Sequence, residues 1–391
     1  MDVVGQISQA ADQWRDGELE ANRNRRLSDT TWKQMHELGV LRALQPRRWG
    51  GGELDLGEHL RNVYEIARYA PSAGWVAGVV SSHPWQIALF DESAQQDMWS
   101  SDPARTTSSS YAPTGSAVPV DGGYLLSGRW SFSSGADLCD GVILGANAGL
   151  AETAGGVKVP NFCSLLLMRD QYAIDDNWFT AGMRGTGSKD IVVADAFVPE
   201  HRALSSVKYE YNPDTPAPGQ LRNDGWLYKV PWAVMFNLVL VAPMLGAARG
   251  FLDTWIAETS RRKLNWGGLV RDDPLTQLHL AEAEWVHEAA VAKMADAIET
   301  ISRAAQAGVY LGKPERARLR WNVTRGCQDV GKAVNHLLRL SSGRTAYVDH
   351  PLHSLFQDVT TELGHAFLAS DAIGQYYGAS LLGAQSAEVM L

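Results

Sequence analysis

Residues 178–202, WFTAGMRGTGSKDIVVADAFVPEHR, decide how the rest of the chain is read. Residues 191–197 form an apolar, β-branched run of strand length. Before it lies a glycine-rich turn carrying Arg184, Thr186 and Ser188. Such a turn can receive a phosphate or pyrophosphate through backbone N–H groups, hydroxyls and a guanidinium. It can equally be a tight turn that feeds the strand. Gly185-Thr186-Gly187 has no third glycine and lies between strands, not at a strand-to-helix turn, so the dinucleotide fingerprint of a doubly wound fold fails.

Working outward, residues 106–212 hold further short runs at 118–120, 123–126, 141–144 and 162–167, separated by Gly, Asp and Ser. This predicts a compact antiparallel sheet or barrel. Residues 1–105 read as helical. Ser28-Asp29 can cap a helix over 30–38, and 60–69 and 85–89 carry helical spacing, punctuated by Gly50-Gly51-Gly52 and Pro71-Ser72. Residues 226–391 return to helix at 230–261, 275–307, 314–340 and 354–382, with connections suited to an antiparallel four-helix bundle. The proline-rich segment 209–219 reads as the linker. The expected class is α+β, with a helical domain (1–105), a middle β-domain (106–212) and a C-terminal bundle (226–391).

Composition narrows the function. The 391 residues carry a net charge of -9 and no basic block, which argues against nucleic acid. Cys139, Cys163 and Cys327 are far apart and fit no metal-ligand spacing, so no metal is expected and the thiols read as packing residues. No P-loop, GxSxG or HExxH occurs. The apolar run 230–248 contains Pro231, Asn237 and Pro243 and reads as a buried bundle helix, not a membrane span. With no leader pattern at the N-terminus, the cytoplasm is the expected location.

A second stretch, GYLLSGRWSFSSGADLCDGVIL (residues 123–144), sets Ser131, Ser133 and Ser134 around Trp130 and Phe132. Flat aromatics beside hydroxyls suit a planar heterocycle, which needs a stacking face and hydrogen bonds at its edge. An aromatic hairpin with a serine turn is the plainer reading of the same residues.

WSFSSG followed by GMRGTGSKDIVVADAFVP resembles the flavin-dependent monooxygenases that share the acyl-CoA dehydrogenase fold. Residues 45–76, 81–99 and 354–383 match the same family in order, so the resemblance covers nearly the whole chain. It implies a flavin between β-domain and bundle, with FAD (as FADH2) favoured over FMN. A separate reductase supplies the reduced flavin, O2 forms a hydroperoxide at its C4a position, and an aromatic or heteroaromatic small molecule is hydroxylated. It assigns Trp130, Phe132, Ser133, Ser134 and Ser110 to the flavin pocket, with Arg184, Thr186 and Ser188 on the glycine turn. Arg262, beside Trp266-Gly267, and the Ser341-Ser342-Gly343 turn match segments that relatives lend to a neighbouring subunit's flavin, which implies a homo-oligomer, commonly a tetramer. His365, expected within the last long helix, is the implied catalytic residue, taking or holding a substrate proton with Ser133 or Ser134 at the flavin edge. His83, Trp85 and Tyr111 are expected to line the substrate pocket.

The chain departs from the family's phenol hydroxylases in places. Leu138 and Ser108-Ser109-Ser110 stand where those relatives carry histidines, and Gln357-Asp358 replaces Arg-Asp. Indole, a fused polycycle, or N- or S-oxygenation of an amino sugar or sulfur heterocycle therefore stay open. A true acyl-CoA dehydrogenase would need a carboxylate base near the end of the chain, where residues 371–383 hold no Glu. A flavin-free binding protein on the same scaffold is the remaining alternative.

Overall fold

The computed structural model describes residues 2–152, 156, 158–209, 215–264 and 267–386. Trp266 and residues 210–214 of the expected linker lie outside them. Six helices come first: α1 (Val3–Gln9), α2 (Ala11–Asn24), α3 (Asp29–Glu37), α4 (Leu56–Tyr69), α5 (Pro71–Ile87) and α6 (Glu92–Trp99). Ser28 caps α3 as its sequence suggests, accepting the Thr31 amide, and Pro71 opens α5 at a position where its missing N–H costs nothing.

Seven strands follow: β1 (Thr107–Val120), β2 (Gly123–Ser133), β3 (Gly141–Glu152), β4 (Lys158–Met168), β5 (Ala173–Asp175), β6 (Lys189–Pro199) and β7 (Ala203–Ser205). They form one sheet in the order β5-β6-β2-β1-β3-β4-β7. The sheet is not wholly antiparallel. β1 and β3 pair in parallel, because the chain leaves β2 at the sheet's centre and crosses through the 136–138 turn to β1's far side.

The last part holds α7 (Trp232–Thr259), α8 (Pro274–Gln306), α9 (Lys313–Arg339), α10 (Pro351–Leu363) and α11 (Asp371–Leu381). α7 is apolar on nearly all sides and therefore occupies the bundle's centre, touching α4, α5, α8, α9 and α10. It is the one described helix long and apolar enough to cross a membrane, and it is buried inside the protein. All three cysteines are free and buried.

The expected helix 354–382 is two helices. α10 stops at Leu363, and His365 caps a short 3-10 turn, Ala366–Leu368, before α11 begins. His365 thus sits at a break in the helix, not inside it.

Candidate active site

The sheet meets the helices where β2 ends. The β2–β6 register slips between Trp130 and Ser133, and Phe132 adopts φ +68. This bulge separates two residues that a regular strand would place on one face. Trp130 turns inward, fully buried, and its indole donates to the Gly145 carbonyl at 2.8 Å. It is a core residue of the sheet, which corrects its assignment to the flavin pocket. Phe132 turns outward, 70% exposed, with its ring edge-on to Trp178 at 6.1 Å.

Beyond the bulge, three hydroxyls form a chain. Ser134 Oγ lies 2.8 Å from Ser188 Oγ, which lies 2.7 Å from Thr186 Oγ1, and Thr186 donates to the Met183 carbonyl at 2.8 Å. Trp75 of α5 donates its indole N–H to Ser134 at 3.2 Å. The end of β2 and the glycine turn therefore meet through Ser134, Thr186 and Ser188. Ser133 is fully buried, and its hydroxyl has no hydrogen-bond partner among the described residues. Ser110 donates to the Ser131 carbonyl at 2.7 Å and ties β1 to β2.

His365 stands edge-on to Trp75, ring centroids 5.6 Å apart. Its Nδ1 accepts the Phe367 amide at 3.1 Å. Burial holds its pKa down at about 4, so the ring is neutral, and with Nδ1 accepting, its proton sits on Nε2. From there a wall of rings continues. Phe367 lies 5.5 Å from Trp232, Trp232 stacks on Phe236 at 4.5 Å, and Tyr111 lies edge-on to both, at 5.1 and 4.9 Å. The Trp232 Nε1 is buried without a partner among the described residues.

His83 closes the far end, 6.3 Å from Phe236. Its Nδ1 donates to the Thr107 carbonyl, so Nε2 accepts from Ser109 at 2.8 Å, and burial holds it neutral with a pKa of about 4. Tyr111 donates to Gln86. Trp85 is not part of this wall. Two residues along a helix from His83, it faces the other way and donates to the Leu227 carbonyl at 2.9 Å in the core.

Sequence reasoning missed Trp75, Trp232 and Phe236. The aromatic pair Trp232 and Phe236, four apart at the start of a helix, was the available signal for one wall.

Arg262 and the 341–343 turn are brought together, but elsewhere. Arg262 donates to the Leu340 carbonyl at 2.8 Å, and Ser342 caps the turn Gly343–Ala346. Trp232 begins α7 and Arg262 follows its end. The 28 residues between put them roughly 40 Å apart at 1.5 Å per residue. Within one chain Arg262 and this turn therefore lie far from Trp232 and the ring wall it belongs to.

Behind the glycine turn lie three buried carboxyls. Glu18 of α2 accepts both the amide and the hydroxyl of Ser72, at 3.1 and 2.7 Å. Asp358 of α10 accepts the Met183 amide at 2.6 Å. Glu362, one turn further along α10, has neither oxygen hydrogen-bonded among the described residues. Burial raises all three pKa values, and Asp358's charge raises those of Glu18 and Glu362 further. A carboxyl with a raised folded-state pKa stabilises the fold while protonated, and that contribution is lost as pH rises through the raised value. Glu18→Gln should therefore raise the melting temperature more at about pH 8 than at about pH 5. A pH-independent difference in a melting series would show that Glu18 is ionised throughout.

A family model described as "Acyl-CoA dehydrogenase, N-terminal domain" matches residues 5–106, and "Acyl-CoA dehydrogenase, C-terminal domain" matches 238–370. A pigment production hydroxylase of Rhodococcus erythropolis is 34% identical over 98% of this chain and 97% of its own. The oxygenase subunit HsaA, a flavin-dependent monooxygenase of Rhodococcus jostii (strain RHA1), is 34% identical over 94% of each. The crystal structure of 3-HSA hydroxylase from Rhodococcus sp. RHA1 superposes with a TM-score of 0.91 at 31% identity, covering 100% of this chain and 99% of that one. The fold and the hydroxyl-lined seam define an enzyme of the acyl-CoA dehydrogenase scaffold. The chain belongs to the flavin-dependent monooxygenases of that scaffold, as an oxygenase component.

Proposed function

We propose that this chain hydroxylates an aromatic or heteroaromatic small molecule, using reduced flavin made by a separate reductase. The observation that carries this reading is the wall of Phe367, Trp232, Phe236 and Tyr111 running from His365 to His83. Aromatic faces at this spacing accept a flat apolar guest by offset or edge-on contact.

The residues present fit a flavin. Phe132 offers an exposed face, Ser134, Ser188 and Thr186 offer an edge of hydroxyls, and the buried Ser133 hydroxyl and Trp232 Nε1 are polar atoms that a heteroatom would satisfy. Arg184, on the same turn, is the cation we assign to the charged tail. When bound, reduced flavin would supply the electrons that activate O2, one of whose atoms is transferred. The chain's share is orientation and dryness. The rings exclude water, and His365, with its proton on Nε2, would donate to the substrate's oxygen or other acceptor and hold the substrate ring in place for attack. This differs from the base role implied by resemblance, because Nδ1 is already engaged by Phe367.

FAD is the preferred form, since Arg262 and Ser341-Ser342-Gly343 form a polar cluster some 40 Å from the ring wall, suited to a neighbouring copy's adenine-bearing tail. This reading needs a homo-oligomer, a tetramer being the form that the resemblance implies. Exposed Leu275, Leu278 and Trp285 on α8, beside a groove of about 540 Å³ between α8 and α9, support it. Three reduced, buried thiols support a cytoplasmic location. The acyl-CoA dehydrogenase alternative lacks a base, since the Glu362 carboxyl lies with Asp358 and Glu18.

The test is anaerobic mixing with chemically reduced FAD or FMN, then admission of O2 in the presence of indole or a phenol. Slower flavin reoxidation than in free solution, with a hydroxylated product and less than one hydrogen peroxide per flavin, is expected. Bleaching of bound oxidised flavin by an acyl-CoA, with no product from O2, would sink the proposal.

A further inference from the structure

We infer that Asp358 is a positioning residue that pins the 182–188 turn to α10 and so fixes the spacing of the flavin edge from His365; this rests on the reading of that turn as a flavin edge. Asp358 Oδ1 accepts the Met183 amide at 2.6 Å, and Met183 is held at φ +54. That left-handed conformation is disfavoured for a residue with a side chain, so the turn needs an outside partner to keep it. The rest of the turn is anchored on the opposite side, where the Gly185 amide donates to Asn22 Oδ1 of α2 at 3.2 Å.

The contacts close into a ring. From Met183 the hydroxyls of Thr186, Ser188 and Ser134 lead to Trp75, and Trp75 faces His365. His365 follows α10, and α10 carries Asp358 back to Met183. A shift of the turn along α10 would therefore move the hydroxyl edge relative to the imidazole. The charged and titratable groups around Asp358 are Glu18 from α2, Glu362 on α10 and Arg184 on the turn, with Cys327 of α9 beside Glu362. Arg184 favours Asp358's charge. Burial and Asp358's charge push the Glu362 carboxyl up, and neither of its oxygens is hydrogen-bonded among the described residues, so it is Asp358 that meets the Met183 amide.

The test reads the turn without flavin first. Hydrogen exchange of the 182–188 amides is followed in the flavin-free protein, then reduced FAD is titrated anaerobically by tryptophan fluorescence. Asp358→Ala should speed Met183 exchange and weaken reduced FAD binding, each by about tenfold or more. Asp358→Asn, which keeps an acceptor, should hold both within about threefold of the parent. If the alanine variant does not fold, Asp358→Glu, whose acceptor is displaced by a methylene, supplies the contrast. Parent-like Met183 exchange in folded Asp358→Ala overturns the pin, as does an asparagine variant that behaves like alanine. If the parent fails to bind reduced FAD, the flavin-edge reading falls, while the exchange data still decide whether Asp358 pins the turn.

Discussion

His365→Ala is expected to lower kcat for hydroxylation by about 10²–10³-fold while leaving reduced-flavin affinity within a few-fold of the parent. His365 caps the turn after α10, and the Phe367 amide occupies its Nδ1. Nε2–H is then the group free to act, as a donor. The pH profile separates this role from that of a base. A lost base is replaced progressively as alkali ionises a phenolic substrate, so the deficit would shrink as pH rises. A lost donor is not replaced, so the deficit should stay constant. With a pKa of about 4, His365 itself should put no break in the profile above pH of about 5. A His365→Ala variant rescued by alkali would return the residue to a base role.

Gly182→Ala should abolish useful flavin binding, with at least tenfold weaker affinity and a loss of about 1–3 kcal/mol in stability. A methyl group at Gly182 would lie 2.1 Å from the Gln357 carbonyl oxygen and 2.6 Å from Thr361 Oγ1. The nearest neighbour is the backbone of α10, which cannot swing aside as a side chain could. The turn must lift off the helix, taking Met183 from Asp358 and Thr186 from the hydroxyl chain. Denaturant melts with flavin titration check it. A variant that binds reduced flavin as the parent does would mean that the turn has slack here.

The parts of this fold that were legible in sequence are those governed by local chemistry. Ser28 as a cap, α7 as a buried apolar helix and the strand at 191–197 follow from residue type and period alone. Motifs singled out Ser134, Thr186 and Ser188, but not the hydroxyl chain that joins them, which depends on tertiary packing. Trp130 was misplaced because strand alternation assumes no bulge, and the bulge at Phe132 inverts the faces. The end of α10 was missed because Leu355, Val359 and Leu363 continue a helical stripe towards Phe367, while the stop depends on a histidine side chain turning back on its own backbone. The ring wall joins β1, α5, α7 and the 366–368 turn, which only tertiary packing brings together.

The hydroxyl chain has a polarity that follows from counting protons. Thr186 gives its single hydroxyl proton to the Met183 carbonyl, which can return none. Ser188 must then give its proton to Thr186, and Ser134 must give its own to Ser188. Trp75 adds another donor to Ser134, so what Ser134 keeps to offer is a lone pair. A guest edge that carries N–H is met without rearrangement. An edge that must accept forces the row to reverse and breaks a bond, at about 1 kcal/mol or fivefold in affinity. Reduced isoalloxazine carries N–H where the oxidised ring carries a lone pair, so with its N5 edge against Ser134, as proposed above, the three committed protons would favour the reduced cofactor over the oxidised one.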